Sequence, residues 1–540
     1  MGLGATAGVA AIGGFALSAQ ASGGSSAKSS GSTASGALTF DKDDYTELTT
    51  TITTDDGDVA VKYHFYKAIT YVTKPVDETY QSLNVSVPVE IDGTTVDATD
   101  APILFANAVG GYMPSSVAEA TGVGGGGMTG MPGGGAPGDS ASTSASAPSD
   151  SSSASASNGS GSGEVESGGN GQLDQRGQAV SNAQLALAAG YVVVEPGARG
   201  RTLVDSDGTY YGVAPAAIVD LKAAVRYLRF NKGRIPGDTD RIVSSGTSAG
   251  GALSALLGAS GDSPLYDAYL KEIGAADASD AIFASGDWCP ITDLEHADMA
   301  YEWNWGANKL GSGSLVDRTV SKELKTAFAD YQASLKLKAK GLGTLTVRNL
   351  DEYLVKTFLE PSATKYLAAL SDADRTTYLA SNTFITWSGG RAAFSWEDFL
   401  THVGARKKDT PAFDAFDLSS GENNLFGEGT TEARHFTLYS LRHEGSAGAR
   451  LDSDLAETLT LMNPMPFLAK ANPRRAKHWW IRVGTKDSDT SLSVVGNLAA
   501  RLENLGDDVN AFMYWDGGHG ANEDAADFIK WIAKVTGYRK

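Results

Sequence analysis

The pattern with the clearest chemical potential is Gly246-Thr-Ser248-Ala-Gly250, which follows an apolar run at 241–245 and precedes a segment with helical spacing. Small residues around a serine permit the sharp strand-to-helix turn that exposes a nucleophilic hydroxyl. Ser248 would then lie at a helix N-terminus, which favours developing negative charge. G-x-S-x-G also recurs by chance in glycine-rich chains, and the alternative is a turn with an idle serine. The strand–helix context predicts that Ser248 is a nucleophile.

A serine nucleophile of this kind needs an acid and then a histidine late in the chain. Only His519 is predicted to lie in a loop between the final strand and the last amphipathic helix. The other histidines fall in strand patterns or in the irregular middle of the chain: His64, His296, His402, His435, His443 and His478. For the acid, Asp487 and Asp489 both follow the preceding predicted strand, and spacing alone does not choose between them. Either could instead cap the helix beginning at Ser491.

An oxyanion hole requires one N–H from the residue after the nucleophile and another from a loop that follows an early strand. Ala249 is the first candidate. The stretch Asn107-Ala-Val-Gly-Gly-Tyr-Met supplies Gly110 and Gly111 as the second. A plain tight turn is the alternative interpretation of this glycine pair.

The elements that must position these residues alternate between strands and helices. Strand patterns at 103–107, 191–195, 241–245, 478–483 and 509–515 are separated or followed by helical ones. Such alternation predicts an α/β fold with a mainly parallel sheet and helices on both faces. The rhythm fails between 293 and 462, which we interpret as an inserted lid domain. Residues 38–292 and 463–540 would then be two parts of one core.

Two low-complexity segments lie outside this pattern. Residues 1–37 begin small and apolar, carry no charge before Lys28, and continue as a Ser/Gly stretch. They resemble an export signal with a tether, so we expect an exported protein, with a flexible tail as the alternative. Residues 115–170 contain no lysine or arginine and little apolar surface, which predicts a disordered insertion in a surface loop.

Composition excludes several classes of function. The 540 residues include 44 basic and 64 acidic side chains, a net charge of −20, which disfavours partners such as nucleic acid or anionic lipid. No membrane span is expected after removal of the signal. The single cysteine, Cys289, excludes an internal disulfide framework and is expected to be buried rather than nucleophilic. The sequence contains no fingerprint of a bound cofactor or metal, and the acidic run 55–58 is interpreted as a hairpin turn rather than a calcium loop.

Several further motifs lie apart along the chain: Ala101-Pro-Ile-Leu104, Val109-Gly-Gly-Tyr112, Gly200-Arg-Thr202, Leu294-Glu-His-Ala-Asp-Met-Ala-Tyr-Glu-Trp303, Pro411-Ala-Phe-Asp414, Glu422-Asn-Asn-Leu-Phe-Gly427 and Asp487-Ser-Asp-Thr490. Through these motifs the sequence, from about Leu38 to the C-terminus with the insertion skipped, resembles the subtype B bacterial tannases. These are α/β-hydrolases that cleave galloyl esters.

The resemblance implies a catalytic serine, aspartate and histidine at Ser248, Asp487 and His519. It also implies that the galloyl ring is bound by Lys408, Glu422 and Asp489. Three adjacent ring hydroxyls can be satisfied by two carboxylates and an ammonium, and such a site rejects analogues that lack the hydroxyls. The implied partners are small galloyl esters and polyphenols, with no cofactor.

The sequence departs from the family around His519, where Gly-His-Gly-Ala stands in place of Pro-His-Ser-Gly, so the base is retained in a loop that is expected to be looser. The elbow, the candidate acid and histidine, and the resemblance together predict a serine esterase that releases gallate. One alternative is an esterase for other phenolic acids, such as ferulate. Another is a catalytically silent surface-binding protein on a hydrolase fold.

Overall fold

The computed structural model describes residues 38–128, 172–173 and 179–539. Its strands are, in chain order, β1 (Thr46–Thr54), β2 (Gly57–Thr70), β3 (Ser82–Ile91), β4 (Thr94–Thr95), β5 (Pro102–Ala106), β6 (Ser115–Ser116), β7 (Gly127–Met128), β8 (Gln172–Leu173), β9 (Ala179–Val180), β10 (Val192–Pro196), β11 (Asp238–Thr247), β12 (Ala284–Trp288), β13 (Lys338–Ala339), β14 (Gly343–Thr344), β15 (Thr386–Ser388), β16 (Arg391–Ala393), β17 (His478–Gly484) and β18 (Asp508–Tyr514).

The helices are α1 (Asn182–Ala188), α2 (Ala216–Phe230), α3 (Ala249–Ala259), α4 (Asp267–Glu272), α5 (Leu294–Trp305), α6 (Arg318–Ser334), α7 (Leu350–Leu354), α8 (Glu360–Ala369), α9 (Asp372–Ser381), α10 (Trp396–Val403), α11 (Gly421–Leu425), α12 (Leu438–Glu444), α13 (Leu455–Leu461), α14 (Pro464–Leu468), α15 (Leu492–Asn504) and α16 (Ala525–Thr536). A 3₁₀ turn spans Pro264–Tyr266, and a π-helical turn at Val355–Leu359 joins α7 to α8. Among the residues described, no helix is both long and apolar enough to cross a membrane.

One large sheet organises the chain, in the order β1-β2-β3-β10-β5-β11-β12-β17-β18 with β4 beside β3. The pairs from β1 to β10 are antiparallel, and those from β10 to β18 are parallel. Strands β5, β10 and β12 bury every residue, as expected where helices cover both faces of a parallel sheet. The predicted α/β fold with a mainly parallel sheet is therefore confirmed. The acidic run 55–58 lies at the β1–β2 hairpin, as predicted.

Residues 293–462 connect β12 to β17 through helices α5 to α13 and the two small hairpins β13-β14 and β15-β16. They belong to the same compact unit as the sheet, which spans Leu38–Lys540. Their role as a lid, and the domain boundaries at 292 and 462, stay predictions.

The start of the predicted low-complexity insertion needs correction. Ser115 exchanges backbone hydrogen bonds of 3.0 and 2.9 Å with Ala198, and the side chains of Val117, Ala120 and Val123 are buried. These three apolar residues anchor 115–128 on the core, although glycines surround them. Most of the predicted insertion, and the predicted export segment and tether at 1–37, lie outside the described residues.

Candidate active site

Ser248 stands at the junction of β11 and α3, with a φ of +60° that few residues other than glycine adopt. Its N–H donates to Trp288 O at 2.9 Å, which ties the turn to the end of β12. A Cβ at Gly246 would lie 2.3 Å from Gly250 O, so only glycine allows the strand and the helix to approach this closely. The half-buried Ser248 therefore occupies a strained elbow at the carboxyl edge of the sheet.

The loop after β5 packs against the same elbow. The Asn107 side-chain amide donates to Ser245 O at 3.2 Å and to Gly250 O at 3.1 Å. A Cβ at Gly250 would meet Val109 O at 2.7 Å, so the loop lies directly against the first turn of α3. Gly110 and Gly111 follow Val109, and Ala249 is the first residue of α3, so the two segments that carry the predicted oxyanion donors are in contact. Sequence reasoning missed Asn107, although it is the first residue after β5.

The acid and the histidine meet between the loops that follow β17 and β18. His519 Nδ1 lies 2.9 Å from Asp487 Oδ2 and 3.8 Å from Asp489 Oδ2. The other oxygen of Asp487 accepts the backbone N–H of Asp489 at 2.9 Å, which holds the buried carboxylate in place. Spacing left the two acids open, and the geometry gives the imidazole contact to Asp487. An Nδ1–H donated to this carboxylate leaves Nε2 as the proton acceptor.

The surroundings of His519 change its acidity. Burial lowers the pKa of His519, but the facing carboxylate of Asp487, together with Cys289, outweighs burial and raises the pKa well above its ordinary value. The imidazolium form is therefore stabilised, which is the form that a general base reaches during acyl transfer.

Cys289 follows β12 and its thiol lies 4.0 Å from His519 Nε2. The residue is buried, as predicted, with a φ of +36°. Because Trp288 O binds the N–H of Ser248, Cys289 lies beside the elbow and links it to the histidine. Sequence reasoning missed this contact because 230 positions separate the two side chains. The available signal was the position of Cys289 at the carboxyl end of a parallel strand next to β11.

Asp489 lies in a cluster of charges. Lys407 Nζ is 3.0 Å from Asp489 Oδ1, and the ammonium of Lys408 lies 3.8 Å above the ring centre of Phe413. Burial alone would raise the pKa of Asp489, but His519 and then the two lysines lower it. Asp489, Lys408 and His519 therefore share one region, and Lys407, which sequence reasoning did not single out, is the lysine in direct contact with Asp489.

A buried ion pair supports the loop that carries Lys408. Arg406 and Glu302 are both almost fully buried and form a two-pronged salt bridge, with one prong of 3.0 Å. The same guanidinium donates to Lys408 O at 2.8 Å. The Tyr301 hydroxyl accepts the Lys408 N–H at 3.2 Å and donates to Ser488 O at 2.7 Å, which joins this loop to the acid loop. Tyr301 and Glu302 of α5 therefore position the backbone of Lys408, Tyr301 directly and Glu302 through Arg406.

Glu422 lies in the first turn of α11. Asn423, the next residue, donates to the fully buried carboxylate of Asp414 at 2.7 Å and fixes the turn. Burial, and then the Glu422 carboxylate, raise the pKa of Tyr112 in the oxyanion loop. The structure thus sets Glu422 beside the oxyanion loop, and Lys408 and Asp489 beside His519.

Arg201, in the motif Gly200-Arg-Thr202, connects the oxyanion loop to α11. Its guanidinium donates to Gly111 O at 2.8 Å and to the side chain of Asn424 at 2.9 Å. A Cβ at Gly421 would lie 2.9 Å from the guanidinium carbon. One side chain therefore holds the oxyanion loop against the turn that carries Glu422.

Within the part of the chain that the structure describes, two groups of side chains have the composition of a metal site. In one, ligand atoms of Cys289, Asp487 and His519 all lie within 4.8 Å of one another. In the other, the acidic residues are Glu428, Asp452 and Asp454, and they surround Arg434.

Two comparisons with known sequences match only part of the chain. The family model described as BD-FAE matches residues 168–330. The "Esterase LipC" of Mycobacterium tuberculosis (strain ATCC 25618 / H37Rv) is 40% identical over 76 residues. That match spans 14% of this chain and only 19% of the esterase, so it concerns a small part of either protein.

The fold and the elbow define this chain as an α/β-hydrolase. The Fusobacterium nucleatum tannase structure is 36% identical, covers 92% of this chain and 99% of its own, and superimposes with a TM-score of 0.72. A tannin acyl hydrolase in complex with ethyl gallate (34% identity, 93% and 100% coverage, TM-score 0.71) and one in complex with 3,4-dihydroxybenzoate (34%, 92% and 99%, 0.71) are similarly close. The chain belongs to the tannase family.

Proposed function

We propose that this chain hydrolyses galloyl esters to gallate and an alcohol, with Ser248 as nucleophile, His519 as general base and Asp487 as its orienting acid. The 2.9 Å contact between His519 and Asp487, beside the elbow that carries Ser248, is the observation that carries the proposal. The ligands of the two related tannin acyl hydrolases, ethyl gallate and 3,4-dihydroxybenzoate, support an aromatic acid as the acyl group.

In the proposed acylation, His519 Nε2 accepts the Ser248 hydroxyl proton while Oγ bonds to the ester carbonyl carbon. The resulting oxyanion accepts hydrogen bonds from the backbone N–H groups of Ala249 and of Gly110 or Gly111. As the intermediate collapses, the carbon–oxygen bond to the alcohol breaks, and His519 returns the proton to that oxygen. Water then repeats the sequence on the acyl-enzyme, which releases gallate and restores Ser248.

We further propose that Lys408, Glu422 and Asp489 bind the ring hydroxyls. The two carboxylates accept hydrogen bonds from hydroxyl groups, and the ammonium donates one. Lys407 already neutralises part of the Asp489 charge, so a ring hydroxyl has to share this carboxylate with it. A ring without hydroxyls would leave these three half-buried polar groups unpaired, which would make such a ring a poor substrate.

Methyl gallate hydrolysis in Ser248→Ala tests the mechanism. We expect a loss of at least about 10³-fold in kcat, because the nucleophile is removed. Ser312→Ala, on an exposed turn, is the matched control and should retain full activity. Labelling by a fluorophosphonate reports the nucleophile independently of substrate choice. Wild-type-like hydrolysis by Ser248→Ala would refute the assignment, and a wild-type protein without labelling would favour a silent binding protein.

The substrate class is tested by comparing methyl gallate with methyl ferulate in the wild type and in Glu422→Gln. We expect the wild type to prefer the gallate ester and Glu422→Gln to lose most of that preference. A wild type that prefers ferulate would support the alternative phenolic-acid esterase. If the variant keeps the gallate preference, Glu422 does not recognise the ring hydroxyls.

A further inference from the structure

The sole cysteine of the chain lies against the histidine proposed as general base. Cys289 Sγ is 4.0 Å from His519 Nε2, and the ligand atoms of Cys289, Asp487 and His519 all fall within 4.8 Å. The thiol is buried, whereas the His519 side chain keeps 27% of its surface exposed. The proposed mechanism needs the imidazole and leaves the thiol unused.

The hydrogen bonding of Asp487 prepares the imidazole as a metal ligand. Asp487 Oδ2 faces Nδ1, and its Oδ1 already accepts the Asp489 N–H, so the carboxylate acts on the histidine rather than on an ion. A carboxylate that holds one ring nitrogen in this way is the usual support of a metal-bound histidine, and Nε2 offers its lone pair to a cation once it has lost its proton. The free nitrogen, Nε2, faces a sulfur ligand.

We propose that Cys289 Sγ and His519 Nε2 form a binding site for a thiophilic divalent cation, such as Zn²⁺ or Cd²⁺, and that this cation inhibits the esterase. Zn–S and Zn–N bonds of about 2.3 and 2.0–2.1 Å at a tetrahedral angle separate the two atoms by about 3.6 Å. The observed 4.0 Å therefore requires a contraction of only about 0.4 Å. As the metal–sulfur and metal–nitrogen bonds form, the thiol proton and the Nε2 proton of the imidazolium leave to solvent.

The inhibitory part of this inference rests on the proposed function. A cation on Nε2 occupies the lone pair that would accept the Ser248 proton, so acylation stops while the cation is bound. The other group of possible metal ligands, Glu428, Asp452 and Asp454, does not include the histidine proposed as general base. Its Glu428 and Asp452 are exposed, and they form ion pairs with the guanidinium of Arg434. It offers only oxygen ligands, which suit harder cations.

The experiment titrates Cd²⁺ alone into the metal-free full-length protein. Binding is followed by the ultraviolet absorbance of the cadmium–thiolate bond, which can come only from Cys289 because the chain has no other cysteine. Function is followed by the rate of fluorophosphonate labelling and by hydrolysis of 4-nitrophenyl acetate. Gallate esters are avoided because their adjacent hydroxyls would themselves chelate the cation.

We expect Cd²⁺ to bind with this absorbance, to stop labelling and hydrolysis together, and to be reversed by a chelator. Cys289→Ser should weaken the inhibition, relative to its own metal-free activity, by about 100-fold, because the thiolate ligand is lost. Asp452→Asn, the control in the other group, should be inhibited like the wild type. Wild-type protein with its thiol blocked by methanethiolation serves as a second test that does not depend on the folding of the variant.

The inference is overturned if no thiolate absorbance appears, or if Cys289→Ser and the thiol-blocked protein are inhibited like the wild type. An inactive wild type would refute the proposed function without touching the absorbance titration, so the two failures are distinguishable.

Discussion

Asp516 ties the loop of His519 to the helices of residues 293–462, and its replacement should impair catalysis from a distance. The Asp516 carboxylate lies 2.6 Å from His402 Nε2 on α10 and accepts the Tyr378 hydroxyl of α9 at 2.6 Å. Lys486 Nζ lies 3.0 Å from it. Burial would raise the pKa of Asp516, but the His402 and Tyr378 hydrogen bonds lower it below its usual range. The carboxylate is thus an anion with three polar partners.

The magnitude follows from one lost charged hydrogen bond. Asp516 has a φ of +60°, a conformation that asparagine adopts readily and alanine does not. Asp516→Asn therefore keeps the turn and removes the charge, at a cost of about 1.5–3 kcal/mol for one charged hydrogen bond. If all of this energy is needed to return His519 to its reactive position, kcat falls by about 13- to 160-fold, since about 1.36 kcal/mol is one factor of ten.

The assay compares kcat and KM for methyl gallate in wild type, Asp516→Asn and Asp516→Ala. Because His519 acts in the transition state, we expect kcat to fall with KM nearly unchanged, and the alanine variant to lose more than the asparagine variant. Thermal unfolding of each variant checks that the fold survives. The reasoning is refuted if kcat stays at the wild-type value in Asp516→Ala, or if the loss lies entirely in KM.

The parts of the site that could be predicted were those encoded locally. The elbow is a single run of small residues between a strand and a helix, and its glycines prove sterically necessary at Gly246 and Gly250. His519 was identified by elimination, because an α/β chain places its late loops at the same edge of the sheet as the elbow. The lysine loop was accessible only through family resemblance, since Lys408 alone is an ordinary charged residue.

The parts that escaped prediction depend on contacts between distant segments. Arg201 bridges the oxyanion loop and Asn424, 223 positions later, and no local pattern encodes such a bridge. The packing of 115–128 was missed because glycines dominate its composition, whereas three well-spaced apolar side chains decide its burial. The Cys289–His519 contact required knowledge that β12, β17 and β18 lie side by side, because strand order in a parallel sheet is not written in sequence order.

Three further predictions test separate parts of this account. The raised pKa of His519 means that kcat/KM should fall as pH drops below an apparent pKa above 6.5, and Asp487→Asn should lower the His519 pKa, measured from its ring resonances by NMR. Gly250→Ala should reduce kcat by about 100-fold or more with the protein still folded, because the new Cβ would push the oxyanion loop away. Glu195 is buried, and burial raises its pKa to about 7 despite the Gly124 N–H. The folded-state pKa exceeds the unfolded value of about 4.3, so the stability that the neutral carboxyl contributes is complete below pH 4.3 and is lost as pH rises to 7, about 4 kcal/mol in all. Chemical unfolding from pH 4.5 to 8 should show this loss in wild type and not in Glu195→Gln. Parallel pH profiles for the two proteins would mean that this carboxyl is already ionised in the fold.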